Sequence, residues 1–113
     1  MKLFISQPMR GKTNEEILAD RKKAIAGAAD YLGVNEDELE VIDSFFKDAP
    51  TEAKPLWYLG ESIKLMSAAD VVYFAKGWED ARGCLIEKEC ADGYGIRCIV
   101  CLSKPFKFEV DDI

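Results

Sequence analysis

Short β-branched and aromatic runs alternate with longer amphipathic stretches along this chain, the pattern of strand and helix units that close a parallel sheet. Lys2 to Ser6 reads as the first strand and Gln7 to Lys12 as the polar loop after it. Thr13 opens the run T-N-E-E. Its hydroxyl can accept from the Glu16 amide while the Glu16 carboxylate reaches back to the Thr13 amide, the reciprocal pairing of a capping box. The first helix therefore begins there. Ile17, Ile25, Ala28 and Leu32 recur along it at helical spacing, and Gly33 supplies the stop.

A second strand is expected near Leu39 to Ile42, followed by a loop from Asp43 to Lys54 that carries Phe45, Phe46 and Pro50. That loop is long for so small a chain, and long loops in compact folds tend to serve function. Pro55 suits the first position of a second helix running to about Ser67, with Leu56, Leu59, Ile63 and Met66 on one side. Asp70 to Phe74 reads as the third strand and Lys76 to Arg82 as a loop. Gly83 to about Tyr94 is the third helix and Arg97 to Leu102 the fourth strand. From Ser103 onward the tail has mixed charge and no clear period.

Right-handed crossovers with helices on both faces favour a flavodoxin-like, three-layer α/β fold with its short parallel sheet in the order 2-1-3-4. The tail would add a fifth edge strand if it pairs. In such a sheet the ligand lies where the strand order reverses, beyond the carboxyl ends of strands one and three. The loops Gln7 to Lys12 and Lys76 to Arg82 are therefore expected to face one cleft.

The chain has 113 residues, 49% of them apolar, which is enough for one core and too little for two. One domain, 1–113, is expected. No run approaches the roughly 20 apolar residues of a membrane span, and the start MKLFIS turns polar too early for a signal peptide. A cytoplasmic protein with no membrane partner is the expectation. The net charge of −6 would repel a phosphate backbone, and the basic residues are scattered, which argues against nucleic acid. A small ligand with one or two phosphates stays compatible, because a local cluster can overrule the net charge.

Histidine is absent, which removes Ser-His and Cys-His catalysis and the commonest zinc ligand. General acid and base roles must fall to carboxylates, tyrosines or lysines. Cys98 and Cys101 have the C-x-x-C spacing of some metal and redox sites, but they lie in the strand RCIVCL, where an odd offset puts them on opposite faces. Core packing is their expected role.

Two segments carry candidate chemistry. In the first loop, QPMRGKT, Arg10 offers a planar fork of donors, Gly11 permits close backbone approach, and the following helix would point its free amides at an anion. The same letters also suit an exposed turn, and the P-loop spacing is absent. In the third helix, positions 83, 86, 87, 90, 91 and 94 form one stripe of Gly, Ile, Glu, Cys, Ala and Tyr, in which Glu87 interrupts an apolar face. That carboxylate either acts on a ligand or forms a salt bridge to Arg10 or Arg82. Trp78 lies in the neighbouring loop, where its ring would either stack on a base or cap the core or an oligomer contact. Trp57, off the main stripe of the second helix, marks a subunit contact, and the chain is expected to form a homo-oligomer.

These residues carry a resemblance. F-I-S-Q-P-M-R-G at the start, A-D-V-V-Y-F in the middle and R-G-C-L-I-E-K-E-C-A-D-G-Y-G later resemble the nucleoside 2-deoxyribosyltransferase-like superfamily, and in particular its short bacterial and phage branch. The similarity runs from Met1 to about Leu102. It implies an N-glycosidic bond enzyme, transferase or hydrolase, acting on a nucleoside or nucleotide without metal or organic cofactor. Glu87 would attack the anomeric carbon, and Arg10 and Gly11 would hold a phosphate. The candidate ligand-binding set is then Ser6, Gln7, Arg10, Gly11, Trp78, Arg82 and Gly83, with Glu87 catalytic.

Two positions depart from the family pattern. The aromatic hydroxyl that active members place in the first strand falls at Phe4, and the aspartate of their second helix falls at about Ser62. Glu61 is adjacent but points to another side of the helix, and Tyr58 sits one turn earlier. These departures favour the rival class, a binding protein for a nucleotide-derived ligand that has lost turnover. Glu87 within an apolar stripe favours the enzyme.

Overall fold

A computed structural model of the chain describes residues 1–44, 46 and 49–101. Among these residues four strands, β1 (Lys2–Ser6), β2 (Glu40–Val41), β3 (Val71–Phe74) and β4 (Arg97–Val100), alternate with three helices, α1 (Asn14–Leu32), α2 (Pro55–Met66) and α3 (Arg82–Gly93). All pairings are parallel and the order is β2-β1-β3-β4, a sheet consistent with a flavodoxin-like fold. The expected end of the fourth strand at Leu102 and the fifth strand from the tail lie outside the described residues, as does Phe45.

Alternation along the strands builds two cores. Leu3, Ile5, Val71 and Ile99 turn to one face and pack with Ala24, Ala28 and Ala29 of α1. Phe4, Val72 and Phe74 turn to the other and pack with Met66 of α2 and Ala91 of α3. Small residues on α1 allow it to approach closely, most tightly at Gly27, where an added Cβ would lie 2.7 Å from the Tyr73 hydroxyl oxygen. The parity also separates the two cysteines. Cys98 packs on the second core, while Cys101 lies beside the Tyr73 hydroxyl on the α1 face.

The capping box forms as the sequence implies. The Glu16 amide donates to Thr13 Oγ1 at 3.1 Å and the Thr13 amide to Glu16 Oε1 at 2.8 Å. Gly33 closes α1 in the left-handed region at φ 71°, and Pro55 is the first residue of α2. Two short 3-10 turns, Glu36–Glu38 and Trp78–Asp80, occupy stretches without helical periodicity. Among the described residues no helix is long and apolar enough to cross a membrane.

Three helix faces differ from the sequence expectation. On α3 the buried line is Cys84, Glu87 and Ala91, whereas Ile86 is 38% and Tyr94 86% exposed. The helix seats on the sheet through small side chains and leaves larger apolar ones outside. On α2 the expected stripe is only partly covered: Met66 is buried, but Leu56 is 78% exposed. On α1 Arg21 joins Ile17 and Ala24 on the buried side, one turn after Ile17.

Candidate functional site

Ser6 and Phe74 are register partners at the carboxyl ends of β1 and β3. Beyond them the chain leaves the sheet in two loops, and a cleft of about 1110 Å³ opens between these loops, α2 and α3. Gln7, Arg10 and Lys12 line it from the first loop, and Lys76, Asp80 and Arg82 from the second. Gly83, Cys84 and Glu87 line it from α3. Both loops therefore face one cleft at the strand-order reversal.

Glu87 reaches this cleft from the buried side of α3 and is 7% exposed. The parity of β1 brings it a partner: Ser6 shares the face of Phe4, toward α3, and its Oγ donates to Glu87 Oε1 at 2.5 Å. No ion pair among the described residues reaches Glu87, so the expected alternative of a bridge to Arg10 or Arg82 does not form. Burial pushes the Glu87 carboxyl above its ordinary value, and the Ser6 hydrogen bond acts in the opposite direction. Cys84 lies beside both. Burial raises its thiol to about 11, the Ser6 hydroxyl lowers it and the Glu87 charge adds to the rise, so it is a poor nucleophile near neutral pH.

The remaining sequence candidates divide. Gln7, Arg10, Arg82 and Gly83 line the cleft with Glu87. Ser6 lies 1% exposed behind the lining, bonded to Glu87, and is not itself a cleft-lining residue. Gly11 does not line the cleft either. Its φ of 78° makes it the turn residue that sets Arg10 and Lys12 on either side. Trp78 turns away from the cleft: its ring centroid lies 5.4 Å from that of Phe74, and its Nε1 donates to the Cys101 carbonyl at 3.1 Å. Of its expected roles it takes the core cap.

The free helix end also differs from expectation. The N-terminus of α1 is occupied by its own capping box and carries Glu15 and Glu16 in its first turn. By contrast, the N-cap of α3, Ala81, has no side chain to cap the helix, and its first turn has no acidic residue. Ala81, Arg82, Gly83 and Cys84 all line the cleft. The helix N-terminus that opens onto the cleft without a side-chain cap is therefore that of α3, with Asp80 just before it and Arg82 as its first residue.

Gln7 is a sequence candidate that takes a second role, whereas Arg21 and Ser44, which brace the cleft wall, were not singled out by the sequence. Gln7, of opposite parity to Ser6, turns toward α1 and donates from Nε2 to the Ile17 carbonyl at 3.0 Å. One turn along α1, Arg21 donates to the Ile42 carbonyl at 2.6 Å and to Ser44 Oγ at 3.2 Å. Burial lowers the Arg21 guanidinium from its ordinary value, and the nearby Asp43 charge raises it. Arg21 thereby ties Ser44, 3% exposed, into the cleft wall after β2. Its signal was present in the sequence, since position 21 falls between Ile17 and Ala24 on one helical side.

Phe4, Tyr58 and Ser62 also line the cleft, so both positions of departure from the family pattern face it. Glu61 does not line it and pairs instead with Lys64 at 2.9 Å. Among the described residues no group of three or more Cys, Asp or Glu side chains is arranged to hold a metal ion. Comparison with family models, curated proteins and solved structures finds no match to this chain.

Proposed function

We propose that this chain acts on the N-glycosidic bond of a nucleoside or nucleotide, with Glu87 as nucleophile. The observation that carries the reading is a carboxylate, 7% exposed and lining the cleft, whose hydrogen-bond partner is a neutral hydroxyl. A buried acid kept without a cation is costly for stability and suited to a developing positive charge at a sugar carbon. The resemblance of Gly83 and Glu87 to the deoxyribosyltransferase pattern adds to it.

In the first step a Glu87 oxygen forms a bond to the anomeric carbon as the bond from that carbon to the base nitrogen breaks. The electron pair leaves with the base, which takes up a proton. Tyr58 carries the hydroxyl on the α2 wall nearest in sequence to Ser62 and is the candidate donor. In the second step water or another base attacks the same carbon, the bond from that carbon to the Glu87 oxygen breaks with its electron pair returning to the carboxylate, and the proton lost by the attacking group restores Tyr58. Arg10, with the uncapped start of α3, holds a phosphate or sugar oxygen.

A specific observation favours a second reading. Phe4 and Ser62 present neither a phenol nor a carboxylate to the cleft, so a protein that binds a nucleotide-derived ligand without turnover fits the same walls. Release of free base, followed by chromatography for wild type and Glu87→Gln over a set of nucleosides and monophosphates, decides between them. Release by wild type alone supports the enzyme. No release by either protein, with binding retained, supports the binder.

We infer as well that copies of the chain associate. Leu56 is 78% and Tyr58 40% exposed on α2, and Phe46, Trp57 and Tyr58 form an aromatic cluster with centroids 5.1–6.3 Å apart. That apolar surface suits burial against a second copy.

A further inference from the structure

The end of β1 is held within the sheet. Ser6 pairs in register with Phe74, its carbonyl accepts from the Ala75 amide at 2.9 Å, and its side chain is 1% exposed. From this position, 81 residues away in sequence, its hydroxyl donates to one oxygen of the Glu87 carboxyl, Oε1, at 2.5 Å. A hydroxyl has a single hydrogen. While that hydrogen is given to Glu87, Ser6 has none to offer a ligand or the Cys84 sulfur, the other acceptor within its reach.

We propose that Ser6 is the positioning residue of the cleft: anchored in the sheet, its hydroxyl ties Glu87 Oε1 and leaves Oε2 as the oxygen free to meet the ligand. The assignment of Oε2 as the reacting atom rests on the nucleophile reading above, whereas the orienting bond itself does not. Without the bond, the carboxyl of a side chain with three rotatable torsions would present either oxygen, and its charged form would lose a donor in a desolvated site.

Among the described residues the other charged or titratable groups around the cleft are Arg10, Lys12, Tyr58, Lys76, Asp80 and Arg82, with Cys84 one turn before Glu87 on α3. No ion pair links any of these to Glu87, and Ser6 is the hydrogen-bond donor that favours its charged form. Ser6 therefore holds two properties of Glu87 at once, its orientation and its acidity.

The test is a titration of the Glu87 carboxyl by carbon NMR in protein carrying labelled glutamate, the resonance assigned by its loss in Glu87→Gln. Ser6→Ala removes the donor without adding an atom, and its Glu87 midpoint is expected to rise by about one pH unit or more, the equivalent of one hydrogen bond to a charged group. Ser6→Thr keeps the hydroxyl and is expected to keep the wild-type midpoint. Ser6→Cys, with a weaker donor, is expected to fall between. A midpoint unchanged in Ser6→Ala, with only the melting temperature lowered, overturns the proposal. Should Ser6→Ala not fold, the Thr and Cys variants decide: equal midpoints overturn it, and a higher midpoint in Cys supports it. The titration needs no substrate, so failure of the glycosidic reading would appear in the base-release assay and leave this result standing.

Discussion

Glu87→Gln separates a working carboxylate from a structural one through the sign of its effect on stability. The folded environment raises the Glu87 carboxyl by burial, only partly offset by the Ser6 hydrogen bond. Below the unfolded carboxyl range, about pH 4, the group is neutral in both states and costs nothing. As the pH rises toward and through the raised folded value, the unfolded chain ionises first and stability is lost, reaching a constant penalty above it. Glutamine has no charge to bury, and its Oε1 still accepts from Ser6.

The variant should therefore match wild type within about 1 kcal/mol at pH 4 and exceed it at pH 7 by about 1–3 kcal/mol, the cost of an incompletely partnered buried polar group. For a chain of this size that is about 4 °C in Tm per kcal/mol. Thermal unfolding of both proteins from pH 4 to 8, followed by far-UV circular dichroism, reads the difference. A variant less stable than wild type at pH 7 by about 3–5 kcal/mol would refute the reasoning, because that is the signature of a cation left unpaired in a buried site.

Three further outcomes follow from the packing. Gly27→Ala drives a Cβ to 2.7 Å from the Tyr73 hydroxyl and should destabilise by about 1–3 kcal/mol in urea unfolding. The loss should shrink in the Gly27→Ala, Tyr73→Phe double variant, and equal losses would contradict the clash. Arg21→Ala removes the two hydrogen bonds to Ile42 and Ser44 and should cost about 2–3 kcal/mol, with hydrogen exchange rising in residues 42–44 before α1 itself. Light scattering at micromolar concentration should give at least a dimer mass, and Leu56→Lys should lower it; a wild-type monomer would contradict association through α2.

Most of the fold was legible because its signals are local. The capping box, Pro55 and the β-branched runs each sit within a few residues of what they determine, and the sheet order follows from the handedness of crossovers. The face of α3 was not legible in the same way. The expected stripe counted Ile86 and Tyr94, which are exposed, and left out Cys84, which is buried, because side-chain size outweighed the close approach that small residues allow. Glu87 was found because it, like Ala91, belongs to both lines.

The role of Trp78 rests on a bond to the Cys101 carbonyl across the end of the sheet, a contact with no trace in local spacing. Ser6 was the opposite case. Its parity with Phe4 already directs it to the α3 face, and Gln7 to α1, so their division between Glu87 and Ile17 was present in the alternation of β1.

The central claim is that Glu87 takes the sugar onto itself, and its most direct test is the mass of the protein caught in the act. Wild type mixed with a reactive 2-deoxynucleoside or its monophosphate is quenched in acid within milliseconds to seconds, digested and mapped by mass spectrometry. The expected result is a deoxyribosyl or deoxyribosyl-phosphate ester on the peptide containing Glu87, absent from Glu87→Gln, with free base released in equal amount. Base release that persists undiminished in Glu87→Gln, or an adduct on another residue, would contradict the account.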